Sequence, residues 1–312
     1  MGIMRQAHKN VKPEYAPIVV FGYNRADMLE ACLGSLEKNE NIGQMDLYIF
    51  IDIPDKKKSK DIPLSEKVIE YVEHYRQISK FRKVEIEIAK CHKGLADSII
   101  LGVTKVINQY GKVIVLEDDL IVSNDFLDYM QRGLNFYKKD QKVWSVTAYC
   151  TLVKGLENYK SDVFLAPRGE SLGWGTWKNR WTHVDWDVAS YKDFKKDLVG
   201  QMLFNLGGNT LCKMLRQQMT DSAYDSWAIR WSYQEFRERK YTIYPVESRV
   251  IHCGNDNRST HGACYSKQKL KDTYKKCKFT ELEPDYKVIW NFRQANSSIS
   301  LIKKCLENIT PN

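Results

Sequence analysis

Three consecutive carboxylates, Glu117-Asp118-Asp119, directly follow the apolar run Val113-Ile114-Val115-Leu116. Such a run reads as a buried strand, and acids at the tip of a buried strand are costly to desolvate unless something neutralises them. A divalent cation would do so. Mn²⁺ or Mg²⁺ takes oxygen ligands and keeps waters or phosphate oxygens in its shell. In an extended segment Glu117 and Asp119 point one way and Asp118 the other, so the three need not all be ligands. The competing reading is an exposed strand end, with Ser123-Asn124-Asp125 capping the helix that follows.

Other groups with chemistry sit at comparable places. Arg25 carries a planar fork that can stack on a base or grip a phosphate, or it is a plain charge at a helix start. Asp52 can accept the imide N–H of uracil, a contact cytosine cannot reproduce; beside Pro54 it also suits a turn. His92-Lys93-Gly94 precedes a helical stretch whose free N–H groups could meet an anion. Asp225, in AYDSWAIRW, is either a general base or the N-cap of the helix after it.

The elements that must position these groups alternate. Apolar runs at 17–22, 45–53, 113–116 and 143–148 read as buried strands, and the period-2 pattern of 83–89 reads as a half-exposed one. Helical spacing covers 26–36, 64–78, 95–110 and 125–137. Strand followed by helix, repeated, predicts a parallel sheet. Ligands on such sheets bind at the carboxyl ends of the strands, where Arg25, Asp52, His92-Lys93 and the acidic triplet all fall. After about residue 150 the regular alternation gives way to Gly-Trp-rich turns and aromatic clusters. This second half is expected to be woven onto the first, and Lys287–Ile309 to hold a short amphipathic helix. In SLGWGTW (171–177), Trp174 or Trp177 either lines a sugar cleft or packs in the core.

The chain has 312 residues, 43% hydrophobic and 28% charged, enough for a packed core. Its net charge of +9 favours anionic partners. Lys267 to Lys278 holds six lysines against one aspartate, a solvated face or a contact with a membrane surface. No nucleic-acid reader motif accompanies the charge. Neither G-x-G-x-x-G nor a P-loop occurs, which disfavours dinucleotide and P-loop sites. Met1–Val11 lacks an export signal and no apolar run reaches the roughly 18–20 residues that span a bilayer. The expectation is therefore a cytoplasmic protein, peripheral to the inner membrane face, with its eight cysteines reduced. Zinc held by His252, Cys253, His261 and Cys264 matches no common spacing.

The segment VIVLEDDLIVSNDFLDYM resembles the metal-binding segment of the N-acetylglucosaminyltransferases of N-glycan processing and of related bacterial GT-A glycosyltransferases. The likeness runs from about Pro17 to Gly262 through YNRADMLEACLGSL, CHKGLADSIILGV, SLGWGTWKNRW and DSWAIRW. It implies a GT-A fold: α/β, with a Rossmann-like mixed sheet, mainly parallel, flanked by helices. It also implies a catalytic domain at 14–265, split into a nucleotide-sugar half (14–150) and an acceptor half (151–265), with a basic extension at 266–312.

By the same resemblance, Asp119 holds Mn²⁺ (or Mg²⁺) against the donor diphosphate, with Glu117 and Asp118 beside it. Arg25 and Asp52 border the nucleobase; His92 and Lys93, read from their place before a helix and not from the resemblance, either meet the donor diphosphate or form a solvated loop. Asp225 is the catalytic base, although Tyr224 and Ser226 replace a Trp and an Asp of the family's W-D-D-W segment. The loop 254–262 (GNDNRSTHG) is a lid that brings Arg258 and His261 to the diphosphate. The implied activity is inverting transfer of a sugar from a UDP-sugar to a hydroxyl of a glycan or lipid-linked glycan. A sugar nucleotidyltransferase would need a Gly-rich basic loop where FGYNRAD stands. A non-catalytic sugar-binding relative would be expected to have lost the triplet or Asp225.

Overall fold

A computed structural model of the protein describes residues 15–253 and 269–297. The first half follows the alternation expected of it. β1 (Ile18–Gly22) leads into α1 (Ala26–Leu36), β2 (Asp46–Ile51) into α2 (Ile62–Ile78), β3 (Lys83–Ile88) into α3 (Leu95–Tyr110), and β4 (Lys112–Glu117) ends at the acidic triplet. The short β5 (Leu120–Val122), α4 (Phe126–Phe136) and β6 (Val143–Thr147) come next. The second half adds β7 (Val163–Ala166), β8 (Trp174–Trp177), α5 (Lys178–Trp181), α6 (Tyr191–Phe194), α7 (Leu198–Phe204), α8 (Leu211–Thr220), α9 (Trp227–Arg237), β9 (Tyr241–Pro245), β10 (Val250–His252) and α10 (Tyr286–Ala295).

Eight strands form one sheet in the order β3-β2-β1-β4-β8-β6-β9-β7, and β10 pairs with β5 in a separate ribbon. β1 to β4 are mutually parallel, β6 and β9 run with them, and only β8 and β7 run against them. This is the mixed, mainly parallel α/β sheet expected from the sequence. The second half is indeed woven in, since β8 lies between β4 and β6.

β8 corrects the reading of 171–177 as turns. Gly175 sits where a Cβ would come within 2.7 Å of the Val113 carbonyl oxygen, so only glycine lets this strand press against β4. Both tryptophans of that strand are core, not cleft. Trp174 is fully buried among Trp181, Trp227 and Trp231. The Trp177 indole N–H donates to the Leu134 carbonyl at 3.0 Å, with Arg180 over its ring.

Apolar side chains alternate to the two faces of the sheet. Val20, Ile49 and Leu116 face α1 and α2, while Val19, Phe21 and Val115 face α3 and the tryptophan cluster. On α3, Gly102 lets the helix settle on Phe21, since a Cβ there would meet that ring at 2.8 Å.

A polar clasp secures the start of β2. Asp46 accepts from Arg82 Nε at 2.7 Å, from Arg82 Nη2 at 2.8 Å and from the Tyr110 hydroxyl at 2.6 Å. Burial alone would raise this carboxyl, but the hydrogen bonds from Arg82 and Tyr110 prevail and hold it below the usual aspartate value. A depressed folded value adds stability above the unfolded pKa and loses it as pH falls through the folded one. Asp46→Asn is therefore expected to cost about 1–3 kcal/mol at neutral pH. That gap should shrink in urea melts repeated below the ordinary aspartate range.

Candidate functional site

The carboxyl ends of β1, β2 and β4 lie side by side, because Gly22 pairs with Ile51 and Phe21 with Glu117. Three polar segments thus leave the sheet at one edge: Tyr23-Asn24-Arg25, Asp52 and the triplet. Arg25 crosses from the β1 exit to the acids. Its Nε lies 3.3 Å from Asp118 Oδ2, Nη2 bonds Asp118 Oδ1, and Nη1 lies 3.0 Å from Asp119 Oδ2. The chain turns at Asp118-Asp119 instead of continuing extended, so both carboxylates meet the same guanidinium. The alternation of faces expected across the triplet is lost for that reason.

The ribbon of β5 and β10 brings a group the sequence reading had placed only in a zinc set. His252 pairs in register with Leu120, and the Cys253 N–H donates to the Asp119 carbonyl at 2.8 Å. His252 Nε2 consequently stands 3.1 Å from Asp119 Oδ2. The other two members of that zinc set, His261 and Cys264, lie outside the described residues, as do Arg258 and the whole 254–262 loop. Among the described residues, no three His, Cys, Asp or Glu gather as a metal cluster, and the six described cysteines are thiols.

The electrostatics of the triplet are uneven. Burial, then the charges of Asp119 and Asp118, push the Glu117 carboxyl up to about 8. Burial raises Asp118 to about 6 against the pull of Arg25. Burial acts on Asp119 in the same sense, but the hydrogen bond and charge of His252, then Arg25, hold it below the usual value. Asp119 is thus the most acidic of the three, with an imidazole and a guanidinium converging on one oxygen.

Asp52 is more committed than the sequence suggested. Its Oδ1 accepts from the backbone N–H groups of Ile53 and Lys93, each at 2.9 Å, and Oδ2 accepts from Gly94 N–H at 2.9 Å. His92 Nδ1 lies 2.9 Å from both Asp52 Oδ2 and the Ile53 carbonyl oxygen. The N–H groups of Lys93 and Gly94, expected to meet a phosphate, are therefore taken up by Asp52, which itself serves as the anion at the start of α3. Next to it, Tyr23 faces the His92 ring at 6.0 Å and donates its hydroxyl to Asp61 at 3.0 Å. Tyr23 went unremarked in the sequence because a tyrosine after a strand carries no motif of its own.

Asp225 is not a helix cap. Ser226 takes that role on α9, its hydroxyl accepting from the Ile229 N–H at 3.4 Å. The Asp225 side chain is 54% exposed and pairs with Arg230 Nη2 at 2.7 Å. Arg230 is itself fixed by the carbonyls of Ser226 and Trp186. Two residues on, Trp227 stacks on Trp174 at 5.1 Å, and Trp174 pairs with Val115, two residues before Glu117. The start of α9 therefore stands at the same edge of the sheet as the acids.

A model of the GNT-I family matches residues 1–199, more than half of the chain and all of the triplet, Arg25, Asp52 and His92. The chain belongs to the GNT-I family. It is 23% identical over 259 residues to the alpha-1,3-mannosyl-glycoprotein 2-beta-N-acetylglucosaminyltransferase of Arabidopsis thaliana, covering 73% of this chain. It spans 56% of that relative's length. Among solved structures, it is similar to a mannosyltransferase from Pyrobaculum calidifontis in complex with GDP-Man and Mn²⁺. That match has 13% identity, covers 54% of this chain and 46% of the other, and has a TM-score of 0.39. It is also similar to TarS 1-349 of S. aureus, with 11% identity, 76% and 59% coverage, and a TM-score of 0.43.

In this GNT-I family member, Asp225 and His252 lie beyond the matched span and rest on geometry alone. If the imidazole and Asp119 share an ion, His252→Ala should weaken Mn²⁺ binding about ten- to hundredfold. Titration calorimetry would read this directly, and an unchanged affinity would leave His252 only as a hydrogen-bond partner of Asp119.

Proposed function

We propose that this protein is a metal-dependent glycosyltransferase that moves a sugar from a nucleotide-diphosphate donor, a UDP-sugar by preference, to a hydroxyl of a glycan acceptor. The observation that carries the reading is the 3.1 Å contact of Asp119 Oδ2, held below the usual aspartate value, with His252 Nε2 at the carboxyl end of β4. A carboxylate oxygen and an imidazole nitrogen are a donor pair suited to Mn²⁺ or Mg²⁺. With few protein ligands, the remaining positions fall to phosphate oxygens and water. The bound ion would supply charge stabilisation for the diphosphate as it leaves.

The chain's own residues account for the other tasks. Arg25 neutralises Asp118 before a donor arrives and is a planar cation at the same strand exits. Burial and the neighbouring acids push the Glu117 carboxyl up to about 8, so of the three it is the weakest acid. Asp52, whose two oxygens are taken by the N–H groups of Ile53, Lys93 and Gly94 and by His92, fixes the loop ahead of α3. Asp225, oriented by Arg230, takes the proton from the acceptor hydroxyl, which makes the transfer a single inverting displacement. The acceptor is lipid-linked, and the basic segment 266–312 contacts the membrane on the cytoplasmic side. Among the described residues, no helix is long and apolar enough to cross a membrane.

The test is a donor screen with Mn²⁺ that scores slow hydrolysis of UDP-, GDP-, TDP- and CMP-sugars. Turnover confined to UDP-sugars, and lost with a chelator, is the expected outcome. Pyrophosphate release from a nucleoside triphosphate plus a sugar phosphate would instead make it a nucleotidyltransferase. Tight nucleotide-sugar binding without turnover, even with acceptors, would make it a binding protein.

A further inference from the structure

α7 presents large aliphatic side chains to solvent. Leu198, Val199, Met202 and Leu203 are 73%, 66%, 72% and 51% exposed. They form two i, i+4 pairs and so share one continuous sector of the helix. Gly200 and Phe204 occupy the opposite side, Phe204 buried against Phe194, Tyr233 and Phe236. The short helix is rigidly held, since Asp197 caps it through the Gly200 N–H at 2.8 Å and the Cys212 thiol meets the Gln201 carbonyl. Four exposed aliphatics on a fixed helix form an unusual surface for a soluble face and call for a partner.

The surroundings say which kind. Lys192, Lys195 and Lys196 precede the helix, and Lys213 follows Cys212 on α8; all four are exposed. Among the described residues, none forms an ion pair with Lys192, Lys195 or Lys196. Asp193 and Asp197 are the acids interleaved with these lysines in the sequence, and Asp197 is spent on the helix cap. Lysine is depleted from protein–protein interfaces. At a membrane surface it is favoured, since its stem lies along the apolar boundary while the ammonium meets anionic headgroups.

We propose that α7 is a membrane-surface contact: its aliphatic sector enters the acyl boundary of an anionic leaflet, and Lys192, Lys195, Lys196 and Lys213 bind the headgroups. This is a site distinct from the basic segment after residue 266, and it does not rest on the transferase reading.

The full chain should cosediment with phosphatidylcholine vesicles containing phosphatidylglycerol, and much less with phosphatidylcholine alone. Leu198→Asp with Met202→Asp should lower partitioning at least about tenfold. Lys195→Gln with Lys196→Gln should lower it roughly twenty-fivefold, about fivefold per lysine. All four changes are on exposed side chains, so matching circular dichroism and melting curves confirm that the fold is intact. Equal partitioning of the variants and the parent would overturn the proposal, as would failure of the parent to bind anionic vesicles. A parent that dimerises in light scattering, with dimerisation lost in the Leu198/Met202 variant and no vesicle binding, would reassign the surface to a second copy of the chain.

Discussion

Asp119→Asn is expected to remove metal-stimulated turnover of the preferred nucleotide sugar by at least about a thousandfold, on the order of 4 kcal/mol of barrier. The reason lies in how unequally the triplet is ionised. The Glu117 carboxyl is pushed furthest up and Asp118 is paired with Arg25, whereas Asp119 is held below the usual value by His252 and Arg25. The fold should survive the change. Arg25 keeps Asp118 as its partner, so no buried charge is stranded, and thermal melting should move little. Direct Mn²⁺ titration should show the affinity falling along with the activity. Retention of metal-stimulated turnover in this variant would remove the basis of the proposed function.

Asp225→Asn should lower kcat for transfer by about a hundred- to ten-thousandfold, with the KM for the donor nearly unchanged. The amide keeps the shape of the side chain and its carbonyl can still accept from Arg230, so the exposed ion pair is weakened while the proton-accepting capacity is lost outright. The neighbouring residue gives the contrasting control. Ser226→Ala removes the cap of α9 and should cost about 1 kcal/mol of stability while leaving kcat close to that of the parent. If Asp225→Asn merely destabilised the protein and Ser226→Ala abolished transfer, the two roles would have to be exchanged.

Much of the frame was legible because buried parallel strands announce themselves as short apolar runs. The expected helix at 26–36 and the one at 95–110 match α1 and α3, since their apolar spacing and the glycines at 94 and 111 mark them without tertiary help. β8 was illegible for a physical reason. GWGTW has the composition of a turn, and the demand for glycine came from the Val113 carbonyl of a strand already in place. The partner of Asp119 was hidden in a similar way, since His252 is 133 residues distant and only the β5–β10 ribbon brings it near.

Asp52 and Arg25 lie at the strand exits that their positions after apolar runs indicate, yet their partners were not foreseeable. A carboxylate at a strand exit and free N–H groups at a helix start each suit an external ligand, and here they satisfy one another. Local pattern determined which segments are strands, which edge collects polar groups, and that three acids would crowd one strand tip. Tertiary structure decided which acid is the strongest, which side chains converge on it, and that the tryptophans belong to the core. Periodicity is a property of neighbouring residues and survives in one dimension. Proton affinity and ligand geometry depend on groups brought together across the chain, and those exist only once the sheet has closed around β4.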